Sequence, residues 1–143
     1  MGRERIELAG AQATIDFGIK IGETLPKQTL VAFFGELGAG KTTLIKGIVE
    51  GTTGISRENV SSPTFNYLNI YEGKKGVCYH FDLYRLQGVD EFLSLGFEEY
   101  FLSEGICLIE WSEKIVSLLP PKTHFFTLEH AGVTSRILLM EKR

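Results

Sequence analysis

The segment Gly35-Glu36-Leu37-Gly38-Ala39-Gly40-Lys41-Thr42 constrains the fold more than any other part of the chain. It spells G-x-x-x-x-G-K-T, the phosphate-binding P-loop pattern. The apolar run Thr29-Leu30-Val31-Ala32-Phe33-Phe34 precedes it, and an amphipathic stretch from Thr43 to Glu50 follows. This order, buried strand, glycine-rich turn and helix start, is the context that gives the pattern meaning. Glycines allow backbone N–H groups to converge on phosphate oxygens. The helix N-terminus adds about half a positive charge at the same place. Lys41 is placed to reach β- and γ-phosphates, and the Thr42 hydroxyl to hold Mg²⁺. In the empty protein Lys41 is expected to be exposed.

At 143 residues the chain is expected to form one domain, residues 1–143, with a core of useful size. No apolar run approaches the 18 or more residues of a membrane span. The N-terminal Met1-Gly2-Arg3-Glu4-Arg5 leads into no apolar stretch, so no secretory signal is expected. Gly2 does not read as a myristoylation site, because residue 6 is Ile. Cys78 and Cys107 sit singly in apolar runs and read as buried free thiols in a reducing cytoplasm. Net charge is −3, which argues against a domain that grips nucleic acid unaided. The adjacent basic pairs, Lys74-Lys75 and Lys142-Arg143, read as solvated charge.

Patterning predicts an α/β fold. Residues 5–8 suit a short strand. Residues 12–21 fit both a period of two and a helix, and the helix is preferred because a sheet must be covered. Gly51 to Gly54 is expected to end the helix behind the P-loop. Residues 65–71 and 77–84 read as strands of a hairpin around Glu72-Gly73-Lys74-Lys75-Gly76. Residues 89–94 and 97–102 read as helical turns split by Gly96, with Phe97, Tyr100 and Phe101 as core. Residues 106–110 read as a buried strand, 112–118 as a short helix stopped by Pro120-Pro121, and 124–129 with 135–140 as a last hairpin. Helical crossovers imply parallel pairing and hairpins imply antiparallel edges, so the sheet should be mixed.

Three segments supply candidate chemistry beside the P-loop. In Ile106-Cys107-Leu108-Ile109-Glu110-Trp111, four apolar residues deliver an acid at a strand end. Glu110 there can hold Mg²⁺ directly or through water. Trp111, the only tryptophan, reads either as a neighbour of the nucleotide or as a core aromatic. In Tyr79-His80-Phe81-Asp82-Leu83-Tyr84-Arg85, alternation places Cys78, His80, Asp82 and Tyr84 on one face. Asp82 can orient or deprotonate a water, or join the metal shell. His80 reads as a hydrogen-bonded structural residue, and Arg85 as a partner of phosphate or of another protein. Finally, Ser61-Ser62-Pro63-Thr64-Phe65 is either a γ-phosphate-sensing loop or an ordinary turn.

These pieces together resemble the TsaE family, formerly YjeE, small bacterial ATPases of tRNA threonylcarbamoyladenosine biosynthesis. The matching segments are G-E-L-G-A-G-K-T-T at 35–43, S-P-T-F at 62–65, H-F-D-L-Y-R at 80–85 and I-E-W at 109–111. Gln12-Ala13-Thr14 through Gly18 and Leu95-Gly96-Phe97 also fit, so the likeness spans nearly the whole chain. The resemblance implies a P-loop NTPase-like three-layer fold with a mixed parallel and antiparallel sheet. It implies ATP and Mg²⁺ as ligands. Nucleotide contacts would come from Gly35, Glu36, Leu37, Gly38, Ala39, Gly40, Lys41, Thr42, Thr43, Thr64 and Trp111. Lys41, Asp82 and Glu110 would carry catalysis, and Thr42 and Glu110 the metal. The terminal hairpin departs from fixed patterns, and Arg136 receives no role. The resemblance further implies partners, the TsaD and TsaB proteins, with tRNA reached through that complex. No membrane or DNA partner is expected, and the cytoplasm is the expected location.

Other classes fit less well. No N/T-K-x-D motif for reading guanine occurs, which favours ATP over GTP. A small-molecule kinase would carry an arginine-rich lid, whereas the arginines here are scattered and none occupies an evident finger position. A nucleotide-dependent interaction module without significant hydrolysis is the remaining alternative.

Overall fold

Strand β2, Leu30–Gly35, runs through the middle of the molecule because all five of its side chains are apolar and its first four residues are buried. A strand apolar on both faces needs cover on both, which is the condition for a parallel sheet between helical layers. The computed structural model describes residues 2–36, 39–63 and 65–143. Its remaining strands are β1 (Glu4–Leu8), β3 (Leu68–Glu72), β4 (Val77–Asp82), β5 (Ile106–Glu110), β6 (His124–His130) and β7 (Arg136–Lys142). They form one seven-stranded sheet in the order β1-β7-β6-β2-β5-β4-β3. Pairing among β6, β2, β5 and β4 is parallel, and the β1/β7, β7/β6 and β3/β4 pairs are antiparallel. The expected mixed α/β sheet is therefore present.

Two helices, α1 (Ala11–Thr24) and α2 (Lys41–Thr53), cover one face. Their seam is made of glycines four residues apart, Gly18 and Gly22 on α1 and Gly47 and Gly51 on α2. A Cβ on Gly47 would sit 2.4 Å from the Ile15 carbonyl oxygen, and one on Gly51 would sit 2.2 Å from that of Ile19. Gly51 is thus kept inside the helix by close approach of α1 and does not end it. The cap is Gly54, left-handed at φ 82°, a conformation glycine adopts at little cost.

The other face is covered by α3 (Val89–Ser94) and the 3₁₀ segments Phe97–Leu102 and Ser112–Leu118. Phe81 of β4 meets Phe92, Phe97, Tyr100 and Phe101 there, with ring centroids 5.4–6.4 Å apart. These aromatics are core, as expected. Alternation along β5 feeds both layers, with Ile106 and Leu108 towards the glycine-seam helices and Cys107 and Ile109 towards the aromatic cover.

Several strand boundaries differ from the pattern reading, and two of the differences have a local cause. β3 starts at Leu68 and not at Phe65, since Tyr67 adopts a left-handed backbone at φ 66° that interrupts extension. β4 stops at Asp82, whose Oδ1 accepts the Tyr84 N–H at 3.1 Å and turns the chain. Both cysteines are buried free thiols, and burial pushes each up to about 12, so they stay protonated. Among the described residues no helix is long and apolar enough to cross a membrane.

Candidate nucleotide site

Because β2, β5 and β4 are parallel neighbours, their carboxyl ends share one edge of the sheet, the usual place for ligands in such folds. Gly35, Glu110 and Asp82 end those three strands. Asp82 and Glu110 are direct register partners, and Phe33 of β2 pairs with Glu110. A cavity of about 600 Å³ opens at this edge. Its wall includes Gly40, Lys41, Thr42 and Thr43 from the loop and α2, with Asp82, Glu110 and Trp111 from the strand ends.

Gly35 leaves the sheet at φ +132°, and a Cβ there would stand 2.3 Å from the Leu128 carbonyl oxygen of β6. Glycine is required by the neighbouring strand as well as by the turn. The Ala39 N–H donates to the Glu36 carbonyl at 3.2 Å, and the Ala39 side chain is fully buried. Gly40, left-handed at φ 95°, precedes Lys41, the first residue of α2. Gly35, Glu36 and Ala39 support the loop without lining the cavity. Leu37, Gly38 and Thr64, also expected nucleotide contacts, lie outside the described residues.

Lys41 corrects one expectation. It is only 8% exposed, because Nζ folds back and donates to the Gly35 carbonyl at 2.8 Å. Nζ also lies 5.2 Å from the Trp111 ring centre, within cation–π range. Trp111 itself takes a left-handed backbone at φ 60°, which turns the chain sharply after Glu110. Tyr84, more than half exposed, packs edge-on against it at 5.0 Å. Lys114 Nζ donates to the carbonyls of Tyr84 at 2.6 Å and Leu86 at 2.9 Å, holding the turn behind Asp82 in place.

The two acids sit in unlike surroundings. Glu110 is buried, and its Oε2 lies 2.8 Å from His80 Nε2. Asp82 is more open to the cavity. Burial, with the neighbouring Glu110 carboxylate, raises its pKa above the usual carboxylate range, opposed by the Tyr84 N–H, His80 and Lys41. Among the described residues no group of three or more His, Cys, Asp or Glu side chains is suited to a metal ion. The oxygen donors present, the Thr42 hydroxyl with Glu110 and Asp82 nearby, fit Mg²⁺, which uses one or two carboxylates and takes its other ligands from phosphate and water.

The model of the family described as threonylcarbamoyl adenosine biosynthesis protein TsaE matches residues 8–138. The chain belongs to the TsaE family. Among its relatives, the tRNA threonylcarbamoyladenosine biosynthesis protein TsaE of Treponema pallidum is 40% identical over 113 residues, spanning 79% of this chain and 82% of that one. The protein of the same name from Haemophilus influenzae is 43% identical over 109 residues, 73% of this chain and 68% of that one. The crystal structure of Bacillus subtilis YdiB superposes with a TM-score of 0.77 at 26% identity, covering 97% of this chain and 84% of that one.

The fold places two arginines near the loop, of which Arg136 had received no role from the TsaE-like motifs. Arg136 opens β7 opposite His130, and its side chain lies 3.9 Å from where a Gly40 Cβ would be. Arg85 lines the cavity, its guanidinium 5.2 Å from the Phe65 ring centre. Pattern reading found no arginine in a finger position; in the fold Arg85 lines the cavity and Arg136 stands beside Gly40 of the loop. The approach of Arg136 to Gly40 is tertiary, and the distance in sequence between them gives no sign of it.

Proposed function

We propose that this TsaE-family chain binds ATP with Mg²⁺ at the described edge and hydrolyses it in support of tRNA threonylcarbamoyladenosine formation. The observation that carries the reading is the convergence of Lys41 and Thr42 with Asp82 and Glu110 on one cavity wall. Phosphates would lie at the N-terminus of α2, against loop N–H groups and the helix dipole. Lys41 would then exchange the Gly35 carbonyl for phosphate oxygens. Thr42 and Glu110 would hold Mg²⁺, which when bound offsets charge on the phosphate oxygens. Asp82 would accept a proton from the attacking water, a role helped by its raised pKa. Trp111 and Thr43 would close the nucleotide side of the cavity.

The partners we propose are the TsaD and TsaB proteins, with tRNA held by them, in the cytoplasm. An acidic chain of net charge −3 has little to grip RNA with by itself. Phe65, 77% exposed, and Arg85 line the same cavity as Lys41 and Thr42 and would give a partner there access to the nucleotide state.

Phosphate release measured with ATP alone, with TsaD–TsaB, and with TsaD–TsaB plus tRNA tests this reading. Slow release alone and acceleration in the complex are expected. Tight ADP and ATP binding with no release under any of the three conditions would leave a nucleotide-dependent interaction module.

A further inference from the structure

Among the described residues, Nδ1 of His80 is the one buried side-chain polar atom with no hydrogen-bond partner. The other ring nitrogen, Nε2, lies 2.8 Å from Glu110 Oε2, with the two side chains 0% and 7% exposed. A neutral imidazole carries one N–H. On Nδ1 that proton would be a buried donor without an acceptor, and the Nε2 lone pair would face a carboxylate oxygen. On Nε2 it makes a charge-assisted bond to Glu110 and leaves only a lone pair unmatched, the smaller cost.

The structure assigns His80 as a positioning residue: its Nε2–H ties down Glu110 Oε2 and leaves Oε1 for a metal ion in the cavity. Fold maintenance does not account for the pair. β4 and β5 are already joined by a parallel ladder from Cys78↔Ile106 to Asp82↔Glu110, and a buried polar pair contributes little net stability compared with apolar packing. What the bond supplies is a fixed carboxylate at the end of β5. A glutamate side chain has three rotatable bonds, and Asp82 directly opposite would repel it if it were free to swing. His80 can act this way only if Glu110 is the Mg²⁺ ligand proposed above, and the two readings fail differently.

Calorimetric titration of ADP at several Mg²⁺ concentrations separates them without reference to turnover. His80→Gln can place an amide N–H near the Nε2 position, whereas His80→Asn reaches only the Nδ1 position. His80→Asn should raise the Mg²⁺ requirement about 10-fold, the usual scale for losing a group that orients a metal ligand. His80→Gln should restore most of it, and metal-free ADP affinity should be unchanged in both. Combined with Glu110→Gln, His80→Asn should add nothing. An unaltered Mg²⁺ requirement in His80→Asn, equal losses in both variants, or a full His80 effect without Glu110 would each overturn the assignment. No Mg²⁺ response in the wild-type protein would instead remove the metal site, and the role of His80 with it. If the variants fail to fold, long-range ¹H–¹⁵N NMR of the wild-type ring decides: Nε2–H is expected, and Nδ1–H overturns the assignment.

Discussion

The site has two limbs built on opposite principles. The P-loop limb is local: Gly35 to Thr43 are consecutive, and Lys41 finds its hydrogen-bond acceptor, Gly35, six residues away. The acid limb is assembled from distance: His80 and Glu110 are thirty residues apart and meet only because β4 and β5 pair in parallel. The local limb offers backbone groups and one cation at a helix start. The distant limb offers carboxylates, one buried and tied, the other open to the cavity. A contiguous motif can announce phosphate binding, but chemistry on that phosphate waits on sheet register.

Removing the cation of the local limb should have the largest effect. Lys41→Ala is expected to lower ATP hydrolysis by about 10³-fold or more, since a group that neutralises charge in the transition state is lost. Because Nζ is buried against the Gly35 carbonyl, the fold should also lose about 1–2 kcal/mol, read as a melting shift of a few degrees. Hydrolysis within tenfold of wild type would mean that Lys41 belongs to the loop's structure and not to its ligand.

Next in size are the two acids, and here the comparison sharpens. Asp82→Ala should slow turnover by about 10²-fold or more while ATP still binds, as loss of a general base does. Glu110→Ala should chiefly raise the Mg²⁺ needed for half-maximal rate. Single-turnover assays across a Mg²⁺ series read both. The same Mg²⁺ dependence in the two variants would dissolve the division between them.

How much of this was legible in the sequence follows the same division. The strand before the glycine-rich segment and the helix after it were readable because their signals lie in neighbouring residues of the chain. The mixed sheet was readable because hairpins and crossovers leave different signatures. The glycine seam was not. Gly47 and Gly51 look like helix breakers until Gly18 and Gly22 pack against them, and that is tertiary information. Nor was the fold-back of Lys41, since a lysine after a glycine-rich turn gives no sign of the carbonyl that captures it. His80 was read correctly as hydrogen-bonded, but its partner, Glu110, could be named only from register. The approach of Arg136 to Gly40 was likewise not legible, being tertiary.

A fourth substitution probes whether the local limb is as local as it looks. Gly35→Ala would set a Cβ 2.3 Å from the Leu128 carbonyl oxygen at a backbone angle of +132°. Neither the strand nor the turn can yield cheaply, so a loss of about 2–3 kcal/mol in chemical denaturation is expected. Nucleotide affinity should fall with it. Wild-type stability would show that β6 does not brace the loop.

The smallest effect concerns the open acid, and its sign is the informative part. Burial and the neighbouring Glu110 raise the Asp82 pKa in the folded state. Between the unfolded and the raised folded value, the native protein binds more protons than the unfolded chain. Stability then falls as pH rises through that window, and the penalty persists at neutral pH. Asp82→Asn removes the charge while keeping an oxygen that can accept the Tyr84 N–H. The variant should therefore be slightly more stable than wild type at neutral pH, by less than about 1 kcal/mol because the side chain is partly solvated. Below the unfolded carboxylate range the advantage should vanish. Melting curves at acid and neutral pH measure it. A residue that costs stability where the protein works, and whose removal costs turnover, is one kept for chemistry; a stability loss at both pH values would instead mark Asp82 as the cap of β4.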